Sequence, residues 1–443
     1  MHPTAPLSNG TDRSGTRGAL LVLFSLFFMW GFITVLVDSL VPRLREVFEL
    51  SYFEAGLVQF AFFIAYGIVS IPAGWLLARI GYRRGMLLGL TAMGLGCLLF
   101  WPAAGLRTFP LFLFGYFTLA GGMTVLQVAA NPYVAVLGAE RSASSRLNLA
   151  QAFNSVGTTI APIIGAQFIL SDRILSSDAI ALLGTADREA YYVAEASAVQ
   201  GPFIVLAVAL LALALVVALA RLPRILDTQH TGSYGQALRN PRLRFGAIAI
   251  FLYVGAEVAI GTYLVNYFMS LDLATIIRQD PLLSRVATTL HSRPLAEVDA
   301  KGVVAAFVAL YWGGAMVGRF FGSALTLIMR PSVVLATFGL AAIGLLLISM
   351  NSTGVTAMVS ILAVGLFNSV MFPTIFTEAI EGLGDLKPRA SGILCTAIAG
   401  GAFIPPLLGR IADGAGFQTA FVLLLFCYGY IAAYGTYTKR LSA

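Results

Sequence analysis

The sequence predicts an all-α membrane protein of twelve transmembrane helices, arranged as two six-helix pseudo-repeats. Three observations carry the prediction. Apolar runs of membrane-spanning length recur along nearly the whole chain. Arginine and lysine gather at alternate connections between them. Short segments of the first half also return, altered, in the second: APIIG at Ala161 to Gly165 recurs as PPLLG at Pro405 to Gly409, and ANPYV around Pro132 as MFPTI around Pro373. Of 443 residues 58% are hydrophobic and 11% charged, whereas a soluble globular domain carries roughly a quarter charged residues.

Taken in order, residues 1–17 are polar and rich in Gly, Ser and Thr, the composition of a disordered tail. The run from Ala19 to Val41 is too long for a signal-peptide core and lacks a cleavage site after it, so it is expected to remain as the first span. At about 20 apolar residues per span, the twelve helices fall near 19–41, 52–78, 85–104, 109–137, 146–171, 201–221, 244–270, 302–328, 332–350, 354–380, 389–412 and 417–437. This divides the chain into a tail at 1–17, a first half at 18–221, a basic linker at 222–243, a second half at 244–438 and a tail at 439–443. Pseudo-repeated carriers of this kind place their site between the halves. Two longer loops, 172–200 and 271–301, hold most of the acidic residues.

The net charge of +7 does not form one basic face, which argues against nucleic acid as a partner. It marks orientation. Arg79, Arg83 and Arg84, then Arg221, Arg224, Arg239, Arg242 and Arg244, and finally Lys439 and Arg440 fall on one side if both termini are cytoplasmic. Cys97, Cys395 and Cys427 lie in apolar runs and read as small packing residues. No phosphate loop is present, and His2, His230 and His291 lie outside the spans. The chain is therefore read as neither an ATP-driven pump nor an enzyme, with no catalytic residues, no metal site and no cofactor.

Polar residues inside the spans are expensive and so point to function. In LQVAANPYVAVLGAERSASSRLNLAQAFNSVG, residues 126–157, Gln127 and Asn131 sit four apart, and Asn148, Gln151 and Asn154 recur at steps of three. The short run GAERSASSR makes the two helices antiparallel neighbours. Their amides are expected to line one wet, uncharged cavity suited to a neutral polyhydroxylated solute. Asp38 is the acid deep in the first half, either a proton carrier or a structural acid at the helix end near Pro42. Glu257, in the middle of the seventh helix, is expected to accept hydroxyl hydrogen bonds or share in ion coupling. Asn266 and Asn368 are further ligand candidates, with interhelical bonding as the alternative for each. Arg319, in GRFFG, reads as a helix-end anchor, with neutralisation of a buried acid as the alternative. Trp30, Phe153, Tyr253 and Trp312 are apolar platforms for a sugar or plain core aromatics.

The same 126–157 stretch, together with FFMWGFITVLVDSLVP, NSVMFPTIFTEAIEGLG and GGAFIPPLLGRIAD, resembles the fucose/glucose–galactose family of proton-linked sugar symporters in the major facilitator superfamily. The resemblance runs from about Gly18 to Tyr437 and implies the major facilitator fold. It also implies import of a neutral monosaccharide (glucose/galactose, fucose or a related hexose) by alternating access in a bacterial inner membrane, as a monomer among lipids. The coupling ion implied is a proton, with sodium as the alternative. The family's first-helix proton-linked acid falls at Asp38. At Gln127 the chain departs from the pattern, because the family has a glutamate there. Glutamine hydrogen-bonds but cannot titrate. Three explanations stay open: coupling through Asp38 or another acid, a uniporter or carrier of another ion, or an engineered substitution; a non-transporting sugar sensor is the alternative from another class. Glu257 resembles the glucose/galactose and amino-sugar branch more than the fucose branch. In GWLLARIGYRRG, Ala78 stands where many superfamily members have Asp, and the segment reads as a conformational latch.

Overall fold

The computed structural model describes residues 13–47, 52–106, 108–168, 182–220, 222–223, 232–291 and 294–441, with the side chains of 13–17, 37–47, 52–59, 163–168 and 195–199 excepted. The first long apolar run is helical over its whole length, Gly31 and Pro42 included: α1 is Arg13–Val47. It begins inside the segment read as a tail, ahead of the boundary expected at residue 18. The next helices are α2 (Tyr52–Ile80), α3 (Tyr82–Gly105), α4 (Phe109–Val136), α5 (Ala143–Phe168) and α6 (Thr185–Leu219). Gly81, at φ 81°, makes the tight turn between α2 and α3 that only glycine adopts without strain. α6 starts well inside the stretch read as a loop at 172–200. Its first turns are polar and exposed, so it projects beyond its apolar span at Gln200–Leu219.

A short turn of helix, Tyr234–Leu238, closed by a capping box between Ser233 and Gln236, precedes α7 (Pro241–Ser270). Asn240 caps α7, its side chain accepting from the Arg242 N–H at 2.9 Å, and Pro241 occupies the first helical position. The second stretch read as a loop, 271–301, holds two short helices, Leu273–Gln279 and Pro281–His291. Then come α8 (Val308–Ile328) and α9 (Pro331–Met350). The tenth span is broken into α10 (Gly354–Asn368) and α11 (Met371–Ile380), and the eleventh into α12 (Lys387–Thr396) and α13 (Gly400–Ala420), joined by a 3-10 turn at Ala397–Ala399. Gly416, at φ 80°, bends the chain before α14 (Val422–Leu441).

Among the described residues ten helical stretches are long and apolar enough to cross a membrane. α5, diluted by its amides, and α14, which carries four tyrosines, run alongside them without meeting that measure. The first six helices pack on one another, α1 on α5, α3 on α4 and α6, α2 on α4. In the second set α7 packs on α11 and α13, and α9 on α10 and α14. The two sets meet along α5 with α8 and α11, and along α12 with α2 and α4. At one end of this seam lie the exposed Arg79, Arg83, Arg84, Arg141 and Arg330; we call it the arginine-rich end. All three cysteines are buried and free.

Candidate functional site

Gln127, Asn131, Asn148 and Gln151 of α4 and α5 are buried within the bundle and Asn154 is half-buried, but they are used differently. Asn148 donates from Nδ2 to the Ser144 carbonyl at 2.9 Å and lies 3.4 Å from Thr374 Oγ1 on α11, so it helps tie the two helix sets together. Asn154 donates to the Phe27 carbonyl at 3.0 Å and holds α5 against α1. There Gly31 is required, because a Cβ would run into Asn154. Residues three apart are rotated by about 60° short of a full turn, so two such steps carry Asn154 about 120° away from Asn148. That drift is why Asn154 faces α1.

Gln127, Asn131 and Gln151 are buried as well. Gln127 Oε1, both side-chain polar atoms of Asn131 and Asn148 Oδ1 have no hydrogen-bond partner among the described residues. Leaving such a group unsatisfied costs about 1–3 kcal/mol. These atoms hold spare hydrogen-bonding capacity within the first half.

The second half contributes a charged cluster. Glu257 of α7 lies 4.0 Å from the Arg319 guanidinium of α8, both largely buried. Arg319 Nη1 also donates a short hydrogen bond to Ser155 Oγ on α5, across the seam. Tyr311 donates to the Glu257 carbonyl at 3.4 Å, and Asn368 Nδ2 donates to the Tyr311 hydroxyl at 2.8 Å. Tyr253 and Tyr428 bring two further buried hydroxyls beside Glu257. Gly318 allows this closeness: a Cβ there would meet the Leu366 carbonyl and Ser369, so α8 can press against α10 while Arg319 points at the seam.

Not every sequence candidate joins these clusters. Asn266 is exposed near the end of α7, and no described hydrogen bond links it to Glu257. The Asp38 side chain lies outside the described residues. Trp30 and Tyr253 are buried, Phe153 stacks on Phe24 with ring centroids 5.1 Å apart, and Trp312 is exposed. Arg319 is the residue whose reading changes most: the helix-end anchor is in fact a partner of both Glu257 and Ser155. Ser155 itself went unread. With Asn148 and Gln151 it follows the spacing i, i+3, i+7, which holds one face better than repeated steps of three.

A cavity of about 590 Å³ opens at the arginine-rich end between the two sets, lined by Tyr82, Arg141, Ser144, Arg330, Glu378 and Asp385 among others. None of the five amides lines it. Glu378 is buried there with Oε2 unpartnered, while Glu381 pairs with Arg242 at the start of α7.

An all-helical, membrane-embedded body with two packed helix sets and a buried polar seam defines an integral membrane carrier. Residues 19–406 match the Major Facilitator Superfamily. The chain is 46% identical over 434 residues to the glucose/galactose transporter of Brucella abortus, covering 97% of this chain and 96% of that protein. It is 34% identical over 433 residues to the L-fucose-proton symporter of Escherichia coli, covering 95% and 92%. The crystal structure of the E. coli fucose:proton symporter superposes with a TM-score of 0.85 at 32% identity, covering 96% of this chain and 99% of that one. The chain therefore belongs to the fucose/glucose–galactose family of the Major Facilitator Superfamily.

Proposed function

We propose that this protein imports a neutral monosaccharide, glucose/galactose or fucose, together with protons, by alternating access across a bacterial plasma membrane. The relatives are described as glucose/galactose transporters and L-fucose-proton symporters. The observation that carries the reading within this chain is the set of buried, unpartnered amide atoms on Gln127, Asn131 and Asn148, together with a buried acid in the other half whose partner Arg319 reaches α5. Neutral amides supply donors and acceptors in any ratio to sugar hydroxyls without attracting an ion of either sign. We assign Gln127, Asn131, Asn148 and Gln151 to the first wall of the sugar site, with Asn154 at the edge of that wall where it meets α1, and Glu257 to the second, supported by Asn368 through Tyr311. Asn266 is retained as an outer contact. Asp38 and Glu257 are the proposed proton carriers.

In this reading the halves 18–221 and 244–438 rock about the seam, and the arginine-rich end is cytoplasmic. Protonation neutralises the acids and lowers the cost of the occluded intermediate, where water is excluded. A second reading, a uniporter or a sugar sensor, is favoured by one residue, Gln127, which removes a titratable group from the first half.

Transport into proteoliposomes of labelled glucose, galactose and fucose, with and without a proton ionophore, tests the proposal. Gradient-driven accumulation of one sugar, abolished by the ionophore, is expected. Facilitated equilibration that ignores the ionophore would establish the uniporter, and binding without counterflow the sensor.

A further inference from the structure

Beyond sugar and proton, the seam contains a contest for one guanidinium. Arg319 stands between Glu257, in its own half, and Ser155, in the other, donating the short bond to Ser155 and lying 4.0 Å from the carboxylate. It sits within an antiparallel run of small polar contacts between α5 and α8. Ser145 meets Ser323 at 3.1 Å on one side of it, and Thr159 meets Met316 Sδ at 3.4 Å on the other. Those neighbours carry no charge. Arg319 is the cation of the run, and its Nε and the Glu257 Oε1 have no hydrogen-bond partner, so the pair is loosely made in this conformation.

From this geometry we infer that Arg319 is a positioning residue that converts the charge on Glu257 into the strength of the seam. An ionised Glu257 draws the guanidinium back into the second half and takes it from Ser155. A neutral Glu257 leaves Arg319 to donate across the seam, hold α5 against α8 and keep the cavity at the arginine-rich end from reaching the amides, as it does here. The groups that face Glu257 are Arg319 from α8 and the hydroxyls of Tyr253, Tyr311 and Tyr428 from α7, α8 and α14. Of these, Arg319 is the charged one. A charge-assisted hydrogen bond at a buried site is strong enough to shift a two-state equilibrium by roughly tenfold or more. The inference rests on the proton-linked reading in one respect, the titration of Glu257, and its test uses neither sugar nor gradient.

The test is a distance measurement across the arginine-rich end. Spin labels are placed by Glu140→Cys and Arg330→Cys, two exposed positions on opposite sides of the cavity, with the native cysteines buried. In the otherwise wild-type chain, raising the pH from 5 to 9 is expected to increase the long-distance population by roughly tenfold. Glu257→Gln is expected to hold the short distance at both pH values. Ser155→Ala is expected to raise the long population at low pH while leaving the folded yield unchanged. Arg319→Lys, a point charge without the fork, is expected to restore part of the pH response that Arg319→Gln removes. A Glu257→Gln protein that keeps the wild-type pH profile, or a Ser155→Ala protein with unchanged populations, would overturn the inference. Either failure leaves the sugar-transport reading standing, whereas transport indifferent to protons alongside an intact switch would sink only the coupling.

Discussion

Gln127 shows how much one atom pair decides. An amide offers the same shape as a protonated carboxyl and nearly the same hydrogen bonds, but its charge is fixed at zero. Proton sensing must then reside elsewhere, and Asp38 and Glu257 are the proposed places. Asp38→Asn is expected to abolish accumulation against a gradient while counterflow persists; undiminished accumulation removes Asp38 from the mechanism. Gln127→Glu is expected to steepen the pH dependence of sugar binding, measured by tryptophan fluorescence titration between pH 5 and 8, and an unchanged profile denies that wall a coupling role. For Asn131, whose side chain spends none of its capacity on protein neighbours, truncation to Ala is expected to weaken sugar binding by about ten- to a hundredfold, the effect of losing one or two buried hydrogen bonds. At this scale the sequence announced the amides, because amides in an apolar run stand out. It did not tell which amide serves packing: Asn154 spends its donor on the Phe27 carbonyl, a contact fixed by helix rotation and not by residue type. Arg319 was legible as a charge and illegible as a partner, since its acid lies 62 positions away on another helix.

The individual helices owe their closeness to small residues, and α8 gives the clearest case. No Cβ fits at Gly318 without displacing the backbone carbonyl of Leu366. Gly318→Ala is expected to destabilise the folded protein by about 1–3 kcal/mol and lower its thermal midpoint in detergent, with Gly318→Leu worse; an unchanged midpoint would mean that α8 and α10 part easily. The linker turn makes a second checkable contact. Tyr234 donates a short hydrogen bond to the Ile71 carbonyl of α2, and its ring lies under Arg389 of α12, 5.8 Å from the guanidinium carbon. Tyr234→Phe is expected to increase reagent access to a cysteine placed at Asp385, and equal labelling rates would show that the linker carries no load. Helix positions followed from apolar run length, so the spans were readable almost throughout. Their ends were not. α6 and the helices at Leu273–Gln279 and Pro281–His291 continue through polar sequence that hydropathy takes for loop, because helix propensity and capping do not depend on a lipid-facing surface.

The molecule as a whole is two bundles joined along α5–α8, α5–α11 and α2–α12, and the sequence hinted at this only through faint duplicated segments. The seam's hydrogen bonds, Ser145 to Ser323, Asn148 to Thr374 and Ser391 to the Val128 carbonyl at 2.8 Å, could not be anticipated because both partners are common residues far apart in the chain. The first half is built of continuous spans, while three spans of the second are interrupted, one near its start at Ala306–Phe307 and two in mid-span, at Ser369–Val370 and at Ala397–Ala399. A 3-10 stretch inside a helix is a place where a rod can flex. Both mid-span flexures belong to segments that press on the opposite bundle. The second bundle is thus jointed where the first is stiff, and a swing of the carrier can be absorbed partly by bending two rods at their joints. Fluorophore pairs straddling a joint should change separation during turnover, while pairs along the unbroken α9 should keep theirs, as the struts of a frame do when only its hinges move.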